Sequence, residues 1–86
     1  MPKSLYLNSS ILNAVAVIRA LQRNKHHPLG TRDIAQCAGI THDQSYRALI
    51  TLESAGIVKC VINGRRWLLA DGVSIPYRRK NAKRIA

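Results

Sequence analysis

Within seven residues, from Thr41 to Arg47, the chain gathers the imidazole of His42, the carboxylate of Asp43, the amide of Gln44, the phenol of Tyr46 and the guanidinium of Arg47. Such groups donate and accept hydrogen bonds in planar, often two-pronged geometries, which suits recognition of other polar edges better than bond-breaking. A second basic pair, Arg65-Arg66, follows Asn63-Gly64. Catalysis has little to draw on: Asp33, Asp43, Glu53 and Asp71 are the four acids, none paired at a spacing for acid–base work. No phosphate-binding glycine loop and no Ser/His/Asp constellation stands out, so the chain reads as a non-enzyme.

Metal chemistry is equally poorly supplied. Cys37, Cys60 and His26-His27 show no CxxC or HxxxH spacing, so neither metal nor cofactor is expected. Both cysteines are expected in or near the core as small hydrophobes, one in a helix and one in a strand, in a reducing cytosol. The histidines read as loop residues before Pro28.

Charge points to a polyanionic partner. Fourteen Lys and Arg against four acids give a formal net charge of +10 in 86 residues. Arg78, Arg79, Lys80, Lys83 and Arg84 lie in residues 76 to 86 without an acid, so half of the net charge sits in a terminal segment that reads as a flexible, phosphate-gripping tail. Residues 1–75 read as one domain. A chain of this length buries only about 60% of its unfolded surface, and with no Phe its single modest core must be aliphatic. Asn8, Ser9, Ser10 and Asn13 break the only apolar stretch near the start that could resemble an export signal. The longest uninterrupted apolar run, Ala14 to Ile18, is far short of the roughly 20 residues of a membrane span. A cytoplasmic, nucleoid-associated protein is expected.

The elements that carry these groups follow from local signals. A first helix is expected from Asn8 or Ser9 to about Arg23, burying Ile11, Ala14, Val15, Ile18 and Leu21, with Arg19, Arg23 and Lys25 favoured by the dipole at its carboxyl end. Leu29 reads as a very short strand. Thr31 is expected to cap a second helix, with Asp33 in its first turn, Ile34, Ala35 and Ala38 facing inward, and Gly39 ending it in the left-handed conformation. Thr41-x-x-Gln44 is a capping box that opens a third helix ending at Gly56. At 100° per residue, Ser45, Ala48, Leu49, Leu52 and Ala55 share its inner face, while Asp43, Arg47, Ile50 and Ser54 lie opposite and Gln44, Tyr46 and Thr51 flank the outer side. Asn63-Gly64 predicts a two-residue hairpin turn that pairs Val58 with Leu69, Cys60 with Trp67 and Ile62 with Arg65. Val58, Cys60, Ile62, Trp67 and Leu69 then face the helices, with Trp67 as a lid on the core, and Lys59, Val61, Arg66 and Leu68 face away.

Helix, glycine turn, helix and hairpin in that order predict a mostly helical α+β fold, a winged helix-turn-helix with three helices and a two- or three-stranded antiparallel wing sheet. The stretch from Leu29 to Ile40, followed by Tyr46 to Val58, resembles the amino-terminal DNA-binding domain of IclR-type regulators, and MarR-type winged helices share much of the pattern. The likeness covers about residues 10 to 70 and is strongest at Ile34-Ala35, Gly39-Ile40, Arg47, Leu49, Leu52 and Gly56-Ile57-Val58. Ser45 departs from it, standing where IclR-like domains usually place Val. That family's effector domain has no counterpart here, so no small-molecule ligand is inferred.

The resemblance implies a sequence-specific regulator that binds double-stranded DNA. His42, Asp43, Gln44, Tyr46 and Arg47 would read base edges in the major groove, Arg47 forking onto guanine and Gln44 onto adenine. Thr31, Arg32, Thr41, Thr51, Asn63, Arg65 and Arg66 would hold phosphates and the neighbouring minor groove. The first helix together with Ile50, Val61 and Leu68, expected exposed, suggests a homodimer. Two other readings stay open: a nonspecific DNA- or RNA-binding architectural protein, and a winged helix that docks a protein partner.

Overall fold

Helix α1 spans Ser9–Arg23 and begins where Asn8, in extended conformation, accepts a hydrogen bond from the Ile11 amide at 3.1 Å. The computed structural model describes residues 7–24, 27–61 and 65–76. Helix α2 (Thr31–Ala38) ends at Gly39, whose φ of 73° lets its amide turn back onto the carbonyls of Ala35 and Gln36. Helix α3 (His42–Ser54) follows after two residues, and Gly56, at φ 80°, allows the chain to leave it into the hairpin of β1 (Val58–Val61) and β2 (Arg66–Leu69). The described residues form a winged helix: three packed helices with a two-stranded antiparallel sheet beside them.

The strand register matches the one derived from the sequence, with Val58 opposite Leu69 and Cys60 opposite Trp67. The Ile62-to-Arg65 pairing and the Asn63-Gly64 turn lie outside the described residues. Leu29 forms an antiparallel bridge to Trp67, closed by two backbone hydrogen bonds of 2.8 and 3.1 Å. It ties the segment before α2 to the wing. Trp67 is buried as the core lid, and its indole Nε1 donates to Thr31 Oγ1 at 3.1 Å.

Around it, Val17, Ile18, Ala20 and Leu21 of α1 meet Ile34 of α2, Ala48, Leu49 and Leu52 of α3, and Val58 of β1. Ser45 is fully buried among these apolar groups and donates its hydroxyl to the Thr31 carbonyl at 3.4 Å, a long bond that joins α3 to the start of α2.

Five expectations are corrected. The buried stripe of α1 is displaced toward its carboxyl half: Val17 and Ala20 are buried, Val15 is half-buried, and Ile11 is 63% exposed. From Ser9 to Ile18 every residue but Asn13 is apolar or small, so periodicity cannot set the phase of α1, and a groove between its amino half and α3 leaves the first turns uncovered. Thr31 does not cap α2. Gly30 occupies the cap without a side-chain bond, and the Thr31 hydroxyl instead accepts from Trp67. Cys37 is exposed: it neighbours the buried Ile34 on the helix surface but stands on the side away from Ala35 and Ala38, past the edge of the face that α2 turns to the core. Ala55 is exposed as the residue that ends α3, and Val61 and Leu68, expected exposed, are half-buried.

A second tie was not expected at all. After β2 the chain returns to α1, where Gln22 Nε2 donates to the Ile75 carbonyl at 2.9 Å and Gln22 Oε1 accepts from the Ile75 amide at 2.8 Å. Arg19 Nη1 donates to the Pro76 carbonyl at 3.0 Å, so this half-buried arginine holds the returning segment. Gln22→Ala removes both bonds to Ile75 and is expected to cost about 1–3 kcal/mol. Urea unfolding followed by circular dichroism measures this, and hydrogen exchange at the Ile75 amide should lose its protection in the variant.

Candidate functional site

The outer surface of α3 is built from its first turn. Thr41 Oγ1 accepts from the Gln44 amide at 3.0 Å while Gln44 Oε1 accepts from the Thr41 amide at 3.0 Å, so the predicted capping box is present in full. The box fixes where the helix starts and hence which side chains its amino end displays. With Ser45, Ala48, Leu49 and Leu52 buried, His42, Asp43, Gln44, Tyr46, Arg47 and Thr51 are all exposed on the remaining face. Tyr46 stays 48% exposed and Ile50 41%, so that face presents apolar as well as polar groups.

Each of these groups has a defined local state. Asp43 and Arg47, one turn apart, form an ion pair with Oδ2 and Nε 3.1 Å apart. Both are largely solvent-exposed, so the pair contributes only about 0.3–0.5 kcal/mol to stability. Gln44 has its carbonyl oxygen committed to the cap and keeps the hydrogens of Nε2 to offer an acceptor. Forking onto adenine, which needs both ends of the amide, requires the cap to open. The Thr41 hydroxyl accepts in the box and so retains its own hydrogen. The Thr51 hydroxyl donates to the Arg47 carbonyl at 2.9 Å, a bond within the helix that engages its hydrogen.

The other predicted contacts fall on two neighbouring elements. Arg32 is exposed in the first turn of α2, beside the half-buried Thr31. Arg65 and Arg66 are exposed at the start of β2, and Arg66 Nη1 reaches the Pro28 carbonyl at 3.5 Å. Asn63 and the basic residues Arg78, Arg79, Lys80, Lys83 and Arg84 lie outside the described residues. A groove of about 550 Å³ opens between the amino half of α1 and α3, and Ile11, Ala14 and Val15 face Gln44, Arg47 and Thr51 across it. The Asp43–Arg47 pair was not among the sequence expectations, although opposite charges four residues apart on one helix signal it.

Cys60 is half-buried in β1, and burial pushes its thiol up from the ordinary value, with the Glu53 carboxylate adding to the effect. A thiol kept protonated in this way is a poor nucleophile. Among the described residues, no three His, Cys, Asp or Glu side chains come together as metal ligands. Among them too, no helix is long and apolar enough to cross a membrane.

No protein-family model matches the chain, and no curated protein is significantly similar to it. Among solved structures, a ferric uptake regulator from Francisella tularensis with iron is similar, with a TM-score of 0.56 and 26% sequence identity over 72% of this chain. The likeness covers 53% of that protein, so the chain spans about half of its length. The comparison supports a winged helix and does not single out the IclR or MarR type. The reason is physical: Ile34-Ala35, Gly39, Leu49, Leu52 and Val58, which carry the IclR-like pattern, are core and turn positions that any winged helix must fill.

Proposed function

We propose that this protein is a sequence-specific double-stranded-DNA-binding regulator that lays α3 in the major groove and sets its wing arginines against phosphates and the adjacent minor groove. The observation that carries this reading is the amino end of α3. A capping box fixes its start, its inner face is buried, and His42, Asp43, Gln44, Tyr46 and Arg47 stand exposed on the other side. A groove-wide helix presenting donors and acceptors near its amino terminus is what reading base edges requires. The net charge of +10 supplies the attraction to phosphate, and Arg32, Arg65 and Arg66 are exposed on the elements flanking α3. The likeness to a ferric uptake regulator supports a regulatory role at this level. No catalytic step and no cofactor belong to this reading, and it places the protein in the cytoplasm, at the nucleoid.

We further propose a homodimer formed through the start of α1. Leu7, Ile11 and Leu12 are all more than half exposed there, and Ser9 to Ile18 carries no charge in a chain whose other surfaces repel a second copy. A two-fold dimer calls for a nearly palindromic site with half-sites about one or two helical turns apart.

Selection of bound duplexes from a random library, followed by fluorescence anisotropy on the selected and a scrambled duplex, tests the main reading. A selected consensus bound at least about tenfold more tightly than the scrambled duplex is the expected result. Equal affinities with a steep loss on adding salt would establish nonspecific binding instead. Stoichiometric co-purification with one polypeptide and indifference to nucleic acid would make the fold a protein-docking module. Light scattering should return twice the chain mass, and a monomer both free and on DNA removes the dimer.

A further inference from the structure

An acid on the face proposed to meet DNA needs a reason, because a carboxylate there repels phosphate and adds to the cost of approach. Asp43 is such an acid, exposed in the first turn of α3. Its Oδ2 lies 3.1 Å from the Nε of Arg47, one helical turn further on. Acid before base at a four-residue spacing is the favourable order on a helix.

The atoms involved matter more than the pairing itself. Nε is the inner nitrogen of the guanidinium, so a carboxylate placed against it holds the plane of the group from behind. The carboxylate contact is made at Nε, at the inner end of the group, and the two terminal amino groups, Nη1 and Nη2, lie at its outer end. They form the fork that matches two acceptors on one edge, such as O6 and N7 of guanine. An arginine side chain loses rotamer freedom when it docks, and one already held in plane loses less.

We infer that Asp43 is a positioning residue for Arg47: it reads no base itself but holds the guanidinium end-on to the groove, converting a nonspecific cation into a base-specific one. This rests on the reading of α3 as the base-contacting helix. The acid then has a double effect. It weakens binding to any DNA through its charge and strengthens discrimination at the one base that Arg47 meets.

The two effects have opposite signs, which makes them separable. The test measures anisotropy with the full chain on three duplexes: the selected site, the same site with a guanine-to-adenine change at the Arg47 position, and a scrambled sequence. Asp43→Asn removes the charge at nearly constant shape, so it should bind the scrambled duplex severalfold more tightly while its preference for guanine over adenine falls about twofold, the size of an exposed ion pair on a helix. Asp43→Glu, which can still reach Nε across one turn, should restore most of that preference. In an Arg47→Ala background, Asp43→Asn should have no further effect on discrimination.

Circular dichroism would confirm that α3 is intact in each variant. Unchanged guanine preference in Asp43→Asn, with Arg47→Ala abolishing it, overturns the inference while leaving the DNA-reading helix standing. A new base preference at a neighbouring position, with the Arg47 position untouched, also overturns it, since Asp43 would then be reading a base. If Arg47→Ala weakens every duplex alike, the base-reading role itself fails and the inference falls with it.

Discussion

Trp67→Ala is expected to bring the protein close to unfolding at room temperature. The indole is 3% exposed and packs on the cluster that joins all three helices to β1, so its loss removes a large apolar surface and leaves a cavity. Replacements of this kind cost about 3–5 kcal/mol. At about 0.05–0.15 kcal/mol per residue, a chain of 86 residues holds only about 4–13 kcal/mol in total. Packing is not the only contribution. The indole N–H also bonds Thr31 Oγ1, so the same residue fixes the start of α2 against the sheet. Trp67→Phe keeps much of the ring and loses that bond, and should cost clearly less than the alanine variant. Urea titration of both variants separates packing from hydrogen bonding, and a loss below about 1 kcal/mol in Trp67→Ala would refute the lid role.

Arg47→Ala is expected to erase discrimination rather than binding. If the fork meets guanine, its removal costs about 1–3 kcal/mol on the selected duplex, or roughly ten- to a hundredfold in affinity. A scrambled duplex should lose only the contribution of one cation, and the salt dependence should change little. Anisotropy on both duplexes reads the ratio directly. A uniform loss across sequences would place Arg47 among the phosphate contacts instead. Little change in fold stability is expected, since Arg47 is exposed and its ion pair is weak.

Much of the candidate site was legible because its signals are local. Thr41 and Gln44 satisfy each other's backbone amides within one turn, so the start of α3 could be read from two residues. From that start, the fixed angle per residue separates the buried Ser45, Ala48, Leu49 and Leu52 from the outward Asp43 and Arg47. The register of β1 on β2 is similar, since alternation and a two-residue turn leave one pairing that keeps Trp67 and Val58 on the same side.

Elsewhere the missing information was long-range. Thr31 has the right chemistry for a cap, but its hydroxyl answers to an indole 36 positions away, so Gly30 takes that place. Arg19 was read only as a cation favoured by the helix dipole and nothing near Gln22 marks it, because their partners Pro76 and Ile75 are 57 and 53 positions distant. The face that α1 buries could not be chosen locally because Ile11, Leu12, Val15, Val17 and Ile18 are nearly interchangeable as hydrophobes. The packing partners make the choice. Val17 and Leu21 belong to the buried cluster that α1 shares with α2, α3 and the sheet, while Leu7, Ile11 and Leu12 are more than half exposed.

From one dimension, then, came the order of elements, the boundaries of α3, the pairing of the strands and the polar row on the outer helix. Each depends on interactions within a turn or across a hairpin, whose geometry the backbone dictates. The orientation of α1, the true role of Thr31, the exposure of Cys37 and the strap from Ile75 to Gln22 came only with packing in three dimensions. They depend on which surfaces meet, and residues far apart in the chain compete for the same hydrogen bonds and the same volume.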